Sequence, residues 1–147
     1  MGEKNPGWFD GLRVFVYGTL KPGGFYWPRF CEGKVEQWVP ARVRGSVYHL
    51  PVGYPAAHFD RNEGWIEGVV LELSDVAALR GLDSLEGFDP GNPRSEQNDY
   101  RRLRVEAELR GSGQCEMVWA YEMSLEKIQL EGGSLVESGN WIADEWR

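Results

Sequence analysis

The sequence predicts an α+β fold built on a mostly antiparallel, curled β-sheet, and two observations support this prediction. The clearest is the strict alternation of apolar and charged residues from 102 to 110, which is typical of a half-buried strand. A Gly111-Ser112-Gly113 turn and a second apolar run over 115–123 follow, which predicts an antiparallel hairpin. The chain also has no internal repeat, low-complexity tract or linker, so we expect one domain over 1–147 with its core at about 12–142.

Three strands and one helix are predicted before the hairpin. Residues 14–20 are β-rich and run into a loop of glycine and proline, residues 38–50 alternate, and residues 64–73 are β-branched and aromatic. Gly68 is expected to be a bulge or a point of close backbone approach. A turn is predicted over 51–55. The helix is expected over 75–85, with Ser74 as its N-cap and Gly87 at its C-terminal end.

The remaining segments are less regular. Residues 89–99 contain Pro, Gly, Asn and charged residues, and a surface loop of this length is usually functional or mobile. After the hairpin, the sequence favours a helical turn over 125–130, a break at Gly132-Gly133, a short strand at 135–136 and a helical end over 141–146.

Composition limits the classes of partner and compartment. The 147 residues are 41% hydrophobic, which excludes a disordered protein, and the net charge of −7 argues against nucleic acid or an acidic membrane surface. Residues 1–11 lack the apolar core of a secretory signal, and no stretch is long enough to span a membrane. Cys31 and Cys115 are too few for a disulfide framework. We therefore expect a soluble, cytoplasmic protein.

Several kinds of chemistry find no support in the sequence. His49 and His58 lie nine residues apart and far from either cysteine, so no metal is expected. Residues 18–24 lack the Gly-Lys-Ser/Thr ending of a phosphate loop, and residues 132–136 lack the closing glycine of a hydrolase elbow. No cofactor is expected, and an enzyme built on this chain would use a carboxylate as its acid–base group.

Two stretches are candidates for a site. Gly18 lies in a loop whose backbone N–H groups can hold an anion, although such a stretch taken alone is more typical of a turn. Glu86 lies at the predicted C-terminal end of the helix, where the helix dipole disfavours a negative charge and tends to raise the pKa of the carboxyl group. Burial by neighbours such as Phe88 would add to this effect. Taken alone, most glutamates at such positions are simply solvated.

Four pieces of the chain, in this order, carry a family resemblance. They are Tyr17-Gly18-Thr19-Leu20 with Lys21 and Gly23; Gly45 through Tyr54-Pro55-Ala56; Leu82-Asp83-Ser84-Leu85-Glu86-Gly87 with Tyr100-Arg101-Arg102; and Trp119-Ala120-Tyr121 with Gly139-Asn140-Trp141. Together they resemble the γ-glutamylcyclotransferase-like superfamily, which includes γ-glutamylamine cyclotransferases and plant avirulence-induced proteins. The resemblance extends from about residue 14 to residue 141.

The resemblance implies a small mixed, mostly antiparallel β-barrel with flanking helices and a cavity at one end. It also implies a cyclotransferase that releases 5-oxoproline and a free amine from a γ-glutamyl amine or γ-glutamyl amino acid by intramolecular aminolysis. Glu86 corresponds to the family's acid–base residue. Tyr17, Gly18, Thr19 and Leu20 match the substrate-holding loop, and Tyr100 and Tyr121 match tyrosines in or beside the pocket.

Two positions bear on the choice of γ-glutamyl substrate. Close relatives among the γ-glutamylamine enzymes carry a polar run after the first loop, whereas this chain has Phe25-Tyr26-Trp27. This difference indicates that the part of the pocket that holds the leaving group is more aromatic here. The glutathione-specific branch usually has serine where this chain has Thr19, so glutathione is the less favoured substrate.

Two other classes of function stay open at this stage. One is a binding module on the same fold that holds a small anion or a peptide without turning it over. The other is an interaction domain that exposes some of the seven tryptophans, which include Trp8, Trp27, Trp38 and Trp65. The sequence does not determine the oligomeric state.

Overall fold

The computed structural model describes residues 12–146, and a closed five-stranded barrel lies at its centre. The barrel order is β2-β4-β1-β6-β5, and β5 pairs back onto β2. All of these pairings are antiparallel except that of β1 with β6, which is parallel. The strands are β1 (Arg13–Val16), β2 (Val35–His49), β3 (Pro55–Phe59), β4 (Trp65–Leu73), β5 (Arg101–Leu109), β6 (Cys115–Glu122) and β7 (Ser134–Leu135). The predicted α+β fold with a mixed, mostly antiparallel barrel is confirmed.

The long strand β2 belongs to two sheets because it changes partner at Gly45. Residues up to Arg44 pair with β4, whereas residues 45–49 pair with β3, and β7 pairs with the end of β2. Gly45 has φ +150°, and a Cβ there would lie 2.9 Å from the Cα of Phe59, so the change of partner requires a glycine. Strand β3 was not predicted from the sequence, because residues 51–55 are typical of a turn and the alanines of β3 have little strand preference.

Within residues 12–146, three short α-helices flank the barrel: α1 (Trp27–Phe30), α2 (Val76–Leu85) and α3 (Leu125–Leu130). Helix α1 was not predicted from the sequence, since it is only one turn long. The predicted N-cap of α2, Ser74, is wrong, because the Asp75 side chain accepts a hydrogen bond from the Ala78 N–H at 2.9 Å. Gly87 has φ +66° directly after the helix, as predicted for a C-terminal glycine.

The chain after α3 agrees with the sequence prediction in outline. The short strand β7 begins one residue earlier than predicted, and a 3-10 helix over Ala143–Trp146 replaces the longer helical end predicted from 141. Within residues 12–146, no helix has the length and apolar character needed to cross a membrane.

The core has two parts, one inside the barrel and one between the barrel and α2. Phe15 and Ile66 are fully buried in the first, and Leu71 and Leu82 are fully buried in the second. Gly68 joins strands β4 and β1 closely, because a Cβ there would meet the carbonyl oxygen of Val16 and lie 2.7 Å from Cζ of Phe15. The predicted close backbone approach at Gly68 is therefore confirmed.

We predict that Gly68→Ala lowers the free energy of unfolding by roughly 1–3 kcal/mol, because the added methyl group overpacks the β1–β4 contact. Gly64→Ala is the matched control, since no atom lies within 4 Å of its Cβ position, and its effect should stay within about 0.5 kcal/mol. Urea unfolding of both variants measures the difference. Equal effects would show that the packing at Gly68 is not tight.

Candidate active site

A cavity of about 270 Å³ opens beside the end of β1. Val16 is the last residue of β1, and the chain then forms one wall of the cavity. The C-terminal end of α2, the residue before β5 and the end of β6 supply the other walls. All seven residues singled out from the sequence line this cavity: Tyr17, Gly18, Thr19, Leu20, Glu86, Tyr100 and Tyr121.

Unpaired backbone amides mark the wall that follows β1. Within residues 12–146, the N–H groups of Gly18, Thr19 and Leu20 donate to no protein acceptor, although Gly18 and Leu20 are buried. Buried N–H groups are nearly always paired, so neighbouring unpaired amides on a cavity wall suit an anion. The loop itself is closed by backbone bonds, including one from the Tyr26 N–H to the Thr19 carbonyl at 2.9 Å.

Gly18 also has a packing role that the sequence did not reveal. A Cβ at this position would lie 2.6 Å from Cγ of Pro55 and 4.0 Å from Cε3 of Trp141. The space next to its Cα is therefore filled by a proline ring. The hypothesis that Gly18 lets a ligand approach the backbone remains a prediction, and contact with Pro55 is a second reason for a glycine here.

Glu86 caps the C-terminal end of α2 and presents its carboxyl group to the cavity. The residue as a whole is half-buried, whereas its carboxyl group is surrounded by protein. Burial raises the pKa of Glu86 from 4.5 to about 8, and the negative charge of Asp99 adds to the shift. The sequence predicted this direction, but it did not identify Asp99 as a cause.

The three tyrosines use their hydroxyl hydrogens within the protein. Tyr17 donates to the carbonyl of Tyr121 at 2.7 Å and accepts the N–H of Ala57 at 3.2 Å. Tyr100 donates to the carbonyl of Pro55 at 2.8 Å. Tyr121 donates to Oδ1 of Asp83 at 2.6 Å. The rings therefore form cavity walls, and a substrate would receive a hydroxyl hydrogen only if one of these bonds broke.

Asp83 is a buried acidic residue that the sequence analysis did not single out. Besides accepting from Tyr121, its Oδ1 lies 2.9 Å from Nε of Arg102, whose guanidinium group lies over the ring of Trp119. Burial raises the pKa of Asp83, although the bond from Tyr121 and the charge of Arg102 lower it. Asp83 follows the buried Leu79 by four residues in α2, so both lie on the same face of the helix, and this spacing was the available signal.

Other cavity residues were also missed by sequence reasoning. Tyr54 and Pro55 come from the segment predicted as a turn, and Asp99 ends the long loop before β5. Gly87 lies against the Asp99 carboxylate, and the Asp99 N–H donates to the Gly87 carbonyl at 3.0 Å. A side chain at position 87 would therefore displace Asp99 from its place near Glu86.

A family model described as "Gamma-glutamyl cyclotransferase, AIG2-like" matches residues 14–143. The chain belongs to this family. Membership of the γ-glutamyl cyclotransferase, AIG2-like family supports a γ-glutamylcyclotransferase activity on small γ-glutamyl substrates in general. The resemblance found in the sequence is confirmed.

Individual relatives of this γ-glutamyl cyclotransferase-like chain are distant. The γ-glutamylcyclotransferase family protein YtfP of Citrobacter rodentium is 29% identical over 133 residues, which cover 89% of this chain and 96% of YtfP. The crystal structure of YkqA from Bacillus subtilis has a TM-score of 0.60 at 24% identity, covering 88% of this chain but only 39% of YkqA. A mouse AIG2-like protein has a TM-score of 0.53 at 20% identity, with 77% of each chain covered. These two structures show the shared fold.

We predict that the raised pKa of Glu86 makes wild-type stability depend on pH. The folded state, with a pKa of about 8, holds a proton that the unfolded state loses near 4.5, so the free energy of unfolding falls as pH rises between these values. Relative to Glu86→Gln, the wild type should lose up to about 5 kcal/mol of unfolding free energy across that window, given about 1.4 kcal/mol for each pKa unit between 4.5 and about 8. Urea unfolding at several pH values from 4 to 9 tests this. A difference between the two proteins that stays constant with pH would contradict it.

Proposed function

We propose that this protein is a cyclotransferase that converts a γ-glutamyl amine or γ-glutamyl amino acid into 5-oxoproline and a free amine, with Glu86 as general acid and base. One observation carries the proposal: a buried carboxyl group and three unpaired backbone amides line the same cavity. A pocket made only to bind an anion gains nothing from a buried carboxyl group, because that group repels the ligand when it ionises.

The two walls suit the two charged groups of a γ-glutamyl moiety. Its α-carboxylate would accept hydrogen bonds from the amides of Gly18, Thr19 and Leu20. Its α-ammonium would then lie towards Glu86, where an ionised carboxylate is stabilised by the positive charge. Holding both groups folds the substrate so that the α-nitrogen approaches its own γ-carbonyl carbon, which is a proximity effect.

The proposed reaction is an internal exchange of amide bonds. The Glu86 carboxylate takes a proton from the α-ammonium, and the free amine attacks the γ-carbonyl to form the five-membered ring. Glu86 returns that proton to the leaving nitrogen while the original C–N bond breaks, and a second proton passes from the attacking nitrogen to the released amine, so that the products are 5-oxoproline and a protonated amine. No water, electron or outside group enters, which makes one proton carrier of suitable pKa sufficient.

A pKa near 8 suits Glu86 to this task better than the ordinary carboxyl value. A carboxyl group with a pKa of 4.5 holds its proton too weakly to take one from an ammonium group. Raising the pKa of the carboxyl group brings it closer to the pKa of the amine, so proton transfer in either direction costs less free energy. Burial and Asp99 together supply this shift.

We predict that Glu86→Gln folds normally and lowers turnover by roughly 10²–10⁴, the usual contribution of a positioned acid–base group. Glu137→Gln is the matched control, because Glu137 is exposed and lies outside the cavity, and it should keep wild-type turnover. Release of 5-oxoproline from γ-glutamyl amines, γ-glutamyl amino acids and glutathione is the measurement. Equal release by wild type and Glu86→Gln would rule out the assigned role. Binding of these compounds with no release by the wild type would instead favour the binding module.

We also predict that kcat/KM rises about tenfold per pH unit below a midpoint near 8, because the ionised form of Glu86 accepts the proton. Asp99→Asn should move this midpoint to lower pH, since the charge of Asp99 raises the pKa of Glu86. The Glu137→Gln control should leave the midpoint unchanged. A pH profile that Asp99→Asn does not move would show that another group controls it.

A further inference from the structure

The cavity has a buried inner part and an exposed outer part. The buried lining residues, which form the inner part, include Phe15, Tyr121 and also Gly18 and Leu20, whose amides are unpaired. Tyr54 and Asp99 are the exposed lining residues, and together with the half-buried Tyr26 they form what we call the mouth. A γ-glutamyl group held by the inner amides therefore directs its leaving amine towards the mouth.

Aromatic side chains dominate the mouth. Tyr54 is 41% exposed, and Tyr26 packs edge-on against Phe30 with ring centroids 5.7 Å apart. Phe25 continues this surface outwards, because its ring lies 4.9 Å from that of Tyr26 while 80% of the residue is exposed. Rings that are fixed on one side and open on the other can take a further ring edge-on or stacked.

The charges at the mouth disfavour a negatively charged leaving group. Within the described part of the chain, the cavity lining includes the carboxyl groups of Glu86 and Asp99 but no lysine, arginine or histidine. The nearby cation Lys127 lies 3.5 Å from Asp99 and also donates to the carbonyl of Asn98. A carboxylate on the leaving group would lie near Asp99 with no cationic partner in the lining.

We infer that the leaving group is an amine that carries an aromatic ring and no carboxylate, with its ring held by Tyr26 and Tyr54. This inference rests on the proposed function, since it assigns the outer part of the same cavity to the amine that is released. It also gives Asp99 a part in specificity, because its negative charge, although partly offset by Lys127, disfavours γ-glutamyl amino acids and glutathione, whose leaving groups carry a carboxylate.

Three synthetic substrates separate the ring from the charge: γ-glutamyl-phenethylamide, γ-glutamyl-ethylamide and γ-glutamyl-phenylalanine. The first two differ only in the phenyl ring, and the first and third differ only in the carboxylate. We expect kcat/KM for the phenethylamide to exceed that for each of the others by about tenfold or more, given the usual worth of aromatic pairs and of unpaired charges.

Variants assign these preferences to residues. Tyr54→Leu should reduce the phenethylamide-to-ethylamide ratio to about threefold or less, whereas Trp38→Leu, which removes an exposed ring outside the cavity, should keep it. Asp99→Asn should reduce the ratio of kcat/KM for γ-glutamyl-phenethylamide to kcat/KM for γ-glutamyl-phenylalanine. Equal kcat/KM for phenethylamide and ethylamide, or ratios unchanged in Tyr54→Leu, would overturn this inference but not the proposed function. No 5-oxoproline from any γ-glutamyl compound would overturn both.

Discussion

Burial of the Glu86 carboxyl group is the constraint on which the site depends. The group lies at the end of α2, and its backbone is tied to the strand that follows the long loop, because the Tyr100 N–H donates to the Glu86 carbonyl at 3.2 Å. The positive φ of Gly87 turns the chain away, which leaves room for Asp99 beside it. A carboxyl group that is buried beside another negative charge costs free energy to ionise. Active sites commonly lower the folding stability of a protein by holding such groups.

The barrel brings the cavity walls together from distant parts of the chain, and the tyrosine hydroxyls fix them there. Tyr17 bonds to the backbone of β6 through the carbonyl of Tyr121, and Tyr100 bonds to the start of β3 through the carbonyl of Pro55. Tyr121 in turn bonds to α2 through Asp83. Three buried hydroxyls thus join strands, a helix and a loop around one cavity, which limits its change of shape.

Local patterns in the sequence predicted the long elements and the raised pKa of Glu86, but not the contacts that complete the site. Alternation identified the β5–β6 hairpin, and apolar spacing with a terminal glycine identified α2. Strand β3 was not predicted because its residues Ala56 and Ala57 have little strand preference. The hydroxyl partners are mostly backbone carbonyls, which no residue pattern reveals. Asp99 acts on Glu86 only because the loop folds back onto Gly87, a contact set by tertiary structure.

The most direct test of these ideas is the titration of the Glu86 carboxyl group itself. The carbon-13 resonance of this carboxyl, assigned from its absence in Glu86→Gln, reports its ionisation without any substrate. A midpoint near pH 8 is expected if burial and Asp99 hold the proton in place. A midpoint near the ordinary value of 4.5 would show that the carboxyl is solvated, and would contradict its assignment as the proton carrier of the cavity.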